Sequence, residues 1–265
     1  MHRRRARPQN RSASLEQPVP AEPQAENEPA PRRIWLCADD YGISPSVSKA
    51  IRDLIMMERL NATSVMVLAP SFNRSEAASL NVIAAARRAA IGLHLTLTGK
   101  FKPLSAGFAP LDAGTFLSMD EMLKRCLLRR LDRKALRREI NAQIEAFIAA
   151  FGHPPDYIDG HQHVHLFPQV RDELLAAMKQ LAPDAWVRQC GRIIPLSQRF
   201  SDPKGLVLDL LSGTFRRKAA ARGIRTNPAF AGTYDFFANP APDFATLFPA
   251  FVKDMPAGGL VMCHP

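Results

Sequence analysis

The stretch Ile34-Trp35-Leu36-Cys37-Ala38-Asp39-Asp40-Tyr41-Gly42 sets the reading of the fold. A short apolar run that ends in polar residues and glycine reads as a buried strand breaking into a loop. Residues 46–59 follow with Val47, Ile51, Leu54 and Ile55 on one helical stripe. The same alternation recurs outward along the chain. Residues 63–68 read as a strand and 71–88 as an Ala-rich helix. Residues 91–98 read as a third strand, and the Pro/Gly-rich segment 102–114 as a surface loop. Helices are expected over 118–131 and 133–151, then a strand at 157–159, a helix at 168–180 and a strand at 185–188. A helix over 209–222 and a final strand at 259–263 complete the pattern. Repeated strand-then-helix units predict a parallel sheet with helices outside. Eight clean units cannot be counted. The expected fold is therefore α/β, a distorted or incomplete TIM-like (β/α) barrel forming a single domain over 33–265, with its chemistry at the C-terminal ends of the strands.

Residues 1–32 are rich in Pro, Gln, Glu, Arg and Ala without apolar periodicity, and a disordered tail is expected there. The chain has 265 residues and is 46% hydrophobic, which suits one soluble domain with a large core. No run approaches the roughly 20 apolar residues of a membrane span. No apolar region follows Arg3, Arg4, Arg5 and Arg7, so a secretory signal is not expected. Cys37, Cys126, Cys190 and Cys263 lie far apart and form no CxxC pair. That argues against a disulfide framework and a cysteine-based zinc site, and points to the cytoplasm.

The net charge of +10 concentrates in Lys124, Arg125, Arg129, Arg130, Arg133, Lys134, Arg137 and Arg138. A smaller cluster is Arg216, Arg217, Lys218, Arg222 and Arg225. Apolar residues interleave at helical spacing, so these are foremost solvated helix faces. The functional counterpart is contact with anionic lipid, nucleic acid or a phosphorylated glycan. No aromatic residue is interleaved, so nucleic acid is not expected as a partner. A homo-oligomer is compatible with the composition.

Neighbouring side chains of a regular strand point to opposite faces, so Asp39 and Asp40 reach one site only if the backbone kinks between them. Their mutual repulsion calls for a nearby cation. Alone, the pair reads more readily as a helix cap or a surface turn. In Gly92-Leu93-His94-Leu95-Thr96-Leu97-Thr98 the alternation is strict, which places His94 on the face opposite the leucines. Alone, it reads as a satisfied core histidine. Asp159-Gly160-His161-Gln162-His163-Val164-His165 holds three of the chain's seven histidines, all on one face if the segment is extended. That density points to metal binding or acid–base chemistry. His264, after the apolar run that closes the chain, is a candidate general acid, and Cys263 an inert buried thiol. Four strand ends thus bring Asp39 and Asp40, His94, His161 and His264 to one face. One carboxylate with two imidazoles is a common mononuclear metal site.

Ala38-Asp39-Asp40-Tyr41-Gly42-Ile43-Ser44, Gly92-Leu93-His94-Leu95 and Asp159-Gly160-His161-Gln162-His163-Val164-His165, in this order, resemble the YdjC-like carbohydrate deacetylases. That family includes chitooligosaccharide deacetylases and hopanoid-biosynthesis-associated deacetylases. The resemblance covers residues 34–265. It implies a distorted TIM-like barrel, one divalent cation and removal of acetyl groups from N-acetylated amino sugars or glycans. It assigns Asp40, His94 and His161 as metal ligands and Asp39 as catalytic base. Arg188, closing Trp186-Val187-Arg188, would orient Asp39, and His264 matches a terminal His-Pro motif. His264, with His163 and His165 behind it, would protonate the departing amine. Two imidazoles favour Zn²⁺, while the carboxylate and open positions favour Mg²⁺. Tyr41 stands where the family more often has Phe. Related chains continue past the His-Pro pair, so a closing helix is expected beyond Pro265. The same ligands would serve a hydrolase of another amide or a phosphoester. A carbohydrate-binding protein without catalysis would not need Asp39.

Overall fold

The computed structural model describes residues 31–192, 203–234 and 243–265. The tail expected over 1–32 lies, up to residue 30, outside the described residues. Arg32–Pro265 forms one compact unit. Arg32 anchors its start by donating to the carbonyls of Lys253 and Met255.

Among the described residues, seven strands form one sheet: β1 (Trp35–Tyr41), β2 (Ala62–Val65), β3 (Ala90–Leu95), β4 (Tyr157–Gly160), β5 (Trp186–Val187), β6 (Phe230–Ala231) and β7 (Leu260–Cys263). Their order is β5-β4-β3-β2-β1-β7-β6, and every pairing is parallel. The sheet curls, and beyond its edges single bridges tie Val187 of β5 to Thr226 and Phe230 of β6 to Arg192. The result is an incomplete α/β barrel. Strands β2, β3, β4 and β7 are buried along their whole length, as parallel strands covered by helices must be.

The helices are α1 (Pro45–Met56), α2 (Arg74–Arg87), α3 (Met119–Leu127), α4 (Arg133–Phe151), α5 (Val170–Leu181), α6 (Pro203–Ala220) and α7 (Phe244–Val252). Local chemistry fixes their ends. Ser44 caps α1 by accepting from the Val47 amide, with Pro45 in the first turn. Asn73 caps α2, which therefore begins three residues later than its sequence pattern suggests. Asp132 caps α4, and Gly152 ends it in the left-handed conformation at φ 79°. The buried stripe of α4 is Leu136, Ile140, Ile144, Phe147 and Phe151. Truncating a buried phenylalanine such as Phe147 to alanine costs about 3–5 kcal/mol.

Boundaries differ where side chains compete for backbone groups. The third strand stops at Leu95 because Gln143 on α4 bonds both the amide and the carbonyl of Thr96. The helix expected over 118–131 ends at Leu127, and Arg129 turns out of it at φ 53°. β6 and α7 had no reading in the sequence. Two residues are too few for a period, and α7 carries Pro249 inside it.

Candidate active site

Because all strands run parallel, one edge of the sheet collects every strand's C-terminal end. Asp39 and Asp40 close β1, His94 lies one residue before the end of β3, and His161 follows β4 directly. Arg188 follows β5, and His264 follows β7. The kink required to bring both aspartates inward is present. Asp40 adopts φ 64°, and the pairing of β1 with β2 slips between Ala38 and Tyr41. Such a bulge re-aims a side chain at a strand's end.

Asp40 sits between two imidazoles. Its Oδ1 lies 3.2 Å from His94 Nε2 and 3.1 Å from His161 Nδ1. Among the described residues, these three offer ligand atoms all within 4.8 Å of one another. His94 is buried, whereas Asp40 and His161 are part-exposed, which leaves one open side to the mouth. Burial alone would raise the Asp40 carboxyl, but hydrogen bonds from His161 and His94 hold it well below the carboxylate range. A hard oxygen with two ring nitrogens fits a divalent cation.

His94 is oriented from behind. Its Nδ1 lies 2.6 Å from Asp159 Oδ1 and 3.1 Å from Ser64 Oγ. A carboxylate accepts only, so Nδ1 carries the hydrogen and Nε2 is the ring nitrogen that faces Asp40. Burial opposes a charge on His94, but Asp159 and Asp39 outweigh it and its pKa is pushed up to about 10.

Asp39 is buried and receives two parallel hydrogen bonds of 2.7 Å from Arg188, Nη1 to Oδ1 and Nη2 to Oδ2. This is the bidentate geometry that makes arginine–carboxylate pairs strong. Ser64 Oγ also donates to Asp39 Oδ1 at 3.3 Å. Burial pushes the Asp39 carboxyl up, yet Arg188 and His94 hold it well below its ordinary value. Arg188, fully buried, is also ion-paired with Asp159 at 3.1 Å. In a second close trio, Cys37, Asp39 and Asp159, both carboxylates already face the Arg188 guanidinium. Burial keeps Cys37 a thiol, bonded to Tyr157 Oη at 3.0 Å.

His264 Nε2 lies 3.9 Å from Asp40 Oδ2 at the same mouth. Burial lowers its pKa, which Asp39 and Asp40 only partly offset. Cys263 is buried, and burial pushes its thiol up to about 12.

One expectation is corrected. The three histidines of 161–165 do not share a face, because the segment is not extended. His161–Leu166 is a 3₁₀ turn, with Gln162 at φ 52° and His163 at φ 58°. Only His161 joins Asp40. His163 Nδ1 lies 3.5 Å from Cys190 Sγ, and its ring meets Phe230 edge-on. His165 is buried and bonds the Arg188 carbonyl at 2.8 Å. A carbonyl accepts only, so His165 donates from Nε2. Burial and Arg188 hold both rings neutral, His163 down to about 3. Ser64 and Asp159 are the residues in contact with this cluster that sequence reasoning did not assign. Asp159 lies in the quoted motif, but its partnership with His94 depends on strand register.

The family model for the YdjC-like protein matches residues 33–265. Relatives named chitooligosaccharide deacetylase, from Yersinia pestis strain Pestoides F and Yersinia pseudotuberculosis serotype O:1b strain IP 31758, are each 31% identical over 133 residues. That alignment spans 50% of this chain and 50% of each relative, so the chain matches about half the length of these relatives. Among solved structures, a protein from Enterococcus faecalis V583, provisionally named for cellobiose-phosphate cleavage, superposes with a TM-score of 0.62 at 22% identity. It covers 88% of this chain and 81% of its own. The lactam utilization protein of Thermus thermophilus gives 0.51 at 15% identity, over 86% of this chain and 89% of its own. These two likenesses establish the fold.

Proposed function

The chain belongs to the YdjC-like family, and on that premise we propose that it is a metal-dependent hydrolase removing the acetyl group from an N-acetylated amino sugar or glycan. The observation that carries the reading is the clustering of Asp40, His94 and His161 beside an Asp39 clamped by Arg188. The deacetylases of Yersinia that align with half of the chain support the substrate class.

In this reading Asp40, His94 and His161 hold one divalent cation, Mg²⁺ or Zn²⁺. When bound, the cation supplies Lewis-acid polarisation of a carbonyl and acidifies water toward about 7, so that a weakly basic carboxylate suffices as proton acceptor. Asp39 is that acceptor. Arg188 uses one lone pair of each Asp39 oxygen and Ser64 takes the second on Oδ1, so the remaining lone pair of Oδ2 stays available to the proton of the attacking water. The guanidinium fixes the carboxylate's plane, so Asp39 meets the water without losing orientation at the moment of transfer. His264 protonates the departing amine. Because burial lowers its pKa, its imidazolium gives up a proton readily once formed.

Acetate release from N-acetylated glucosamine oligomers, measured with chelator and with single cations restored, tests the proposal. Release that a chelator abolishes and a cation restores is expected. Phosphate release from phosphorylated sugars without acetate release would replace the deacetylase with a phosphoester hydrolase on the same ligands.

A further inference from the structure

We infer that the corner between α3 and α4, at the end of the barrel that carries the active site, docks on the surface of an anionic phospholipid bilayer. The corner's height relative to the mouth follows from the fold. α4 leads into β4 and so runs against the strand direction. Gln143 on α4 is level with Thr96, one residue beyond the end of β3. The ten residues of α4 before Gln143 rise about 15 Å beyond the sheet edge at 1.5 Å per residue. Gln169, just past the turn that bears His161, bonds the amide and carbonyl of Leu131 and holds the corner against the start of α5.

Two features of this corner point to a membrane. The segment 124–138 carries eight basic residues against a single acid, Asp132. Asp132 caps α4, Glu121 pairs with Lys124 and Arg125, and Glu173 pairs with Arg133 and Arg137, which leaves Asp120 at the start of α3 as the exposed acid beside them. Arg129, Arg130, Lys134 and Arg138 are exposed and lack a carboxylate partner among the described residues. Between the basic groups stand two adjacent leucines that the fold leaves outside, Leu127 59% and Leu128 52% exposed. Basic side chains draw such a surface to anionic headgroups, and exposed apolar side chains enter the boundary beneath them. Nucleic acid would reward aromatic rings among the charges, and 119–138 contains none.

Co-sedimentation of the full chain with vesicles of phosphatidylcholine containing phosphatidylglycerol, against phosphatidylcholine alone, tests this. Binding to the anionic vesicles only, weakened by salt, is expected. Arg129→Gln and Lys134→Gln should each weaken it about fivefold. Leu127→Ser with Leu128→Ser should weaken it further, and a Leu128→Trp indole should shift its emission to the blue on vesicle addition. Lys179→Gln with Lys253→Gln, exposed at the opposite end, should leave binding unchanged. Equal binding to both vesicle types, equal loss from the opposite-end pair, or duplex DNA binding indifferent to the leucines would overturn the inference. Acetate release from a soluble sugar involves no vesicle, so failure of either proposal leaves the other standing.

Discussion

Asp159 and His94 are register partners across β3 and β4, and Asp159 Oδ1 accepts the His94 Nδ1–H at 2.6 Å. The other oxygen of Asp159 is ion-paired with Arg188 at 3.1 Å, and Arg188 clamps Asp39 with two bonds of 2.7 Å. One buried carboxylate therefore aligns both a proposed metal ligand and the arginine that orients the proposed base.

Asp159→Asn should weaken cation binding about 10–100-fold, the usual cost of removing a carboxylate that orients a metal-bound histidine. The amide is neutral, so even where its oxygen still accepts from His94 it no longer offers Arg188 the negative charge it is ion-paired with. Calorimetric titration with Zn²⁺ and Mg²⁺ checks this. Unchanged affinity would leave Asp159 as a partner of Arg188 alone.

Asp39→Asn should retain the cation and lower kcat by about 10²–10⁴-fold, the range for loss of a general base. Arg188→Met is expected to behave differently. It leaves Asp39 and Asp159 buried without their cation and should cost about 3–5 kcal/mol of stability. Paired measurements of metal content, turnover and thermal midpoint separate the two effects.

The strand-ends of β1, β3, β4, β5 and β7 were legible because each couples an apolar run to a polar terminus. That is also why Asp39, Asp40, His94, His161 and His264 could be named as candidates from the residues alone, whereas Arg188 was named only through the family resemblance. Two kinds of feature were not legible. Partnerships across strands depend on register, and nothing local says that His94 faces Asp159 or that Ser64 faces Gly92. Backbone reversals depend on tertiary support: Gln162 and His163 take positive φ without being glycine, so alternation misplaced His163 and His165.

Cation affinity should rise with pH. In the metal-free protein, burial lowers the His94 pKa but Asp159 and Asp39 prevail and raise it to about 10. A raised folded-state pKa means that the protonated ring stabilises the fold below the ordinary histidine range and that this contribution fades as pH climbs toward that value. A metal takes Nε2 only after its proton leaves, so each cation bound near neutrality releases a proton. Affinity should increase by up to about tenfold per pH unit between about pH 6 and pH 8. Titrations in buffers of differing ionisation enthalpy would count the proton; a flat affinity with no proton released contradicts the assignment of His94 as a ligand.

Gly160→Ala should disable the site without removing any of its functional groups. Gly160 closes β4 immediately before His161, and a β-carbon there would lie 2.9 Å from His165 Nδ1 and 3.0 Å from the His165 amide nitrogen. His165 cannot yield easily, because its ring is buried, tied to the Arg188 carbonyl at 2.8 Å and packed edge-on against Phe215. The strain must then move the turn that carries His161 or the strand-end that carries Arg188. Overpacking of this kind costs about 1–3 kcal/mol. A loss of cation affinity larger than the loss of thermal stability is expected, since a ligand displaced by an ångström fails before the core does. Wild-type cation affinity in Gly160→Ala would show that the turn at His161 is not held by this contact.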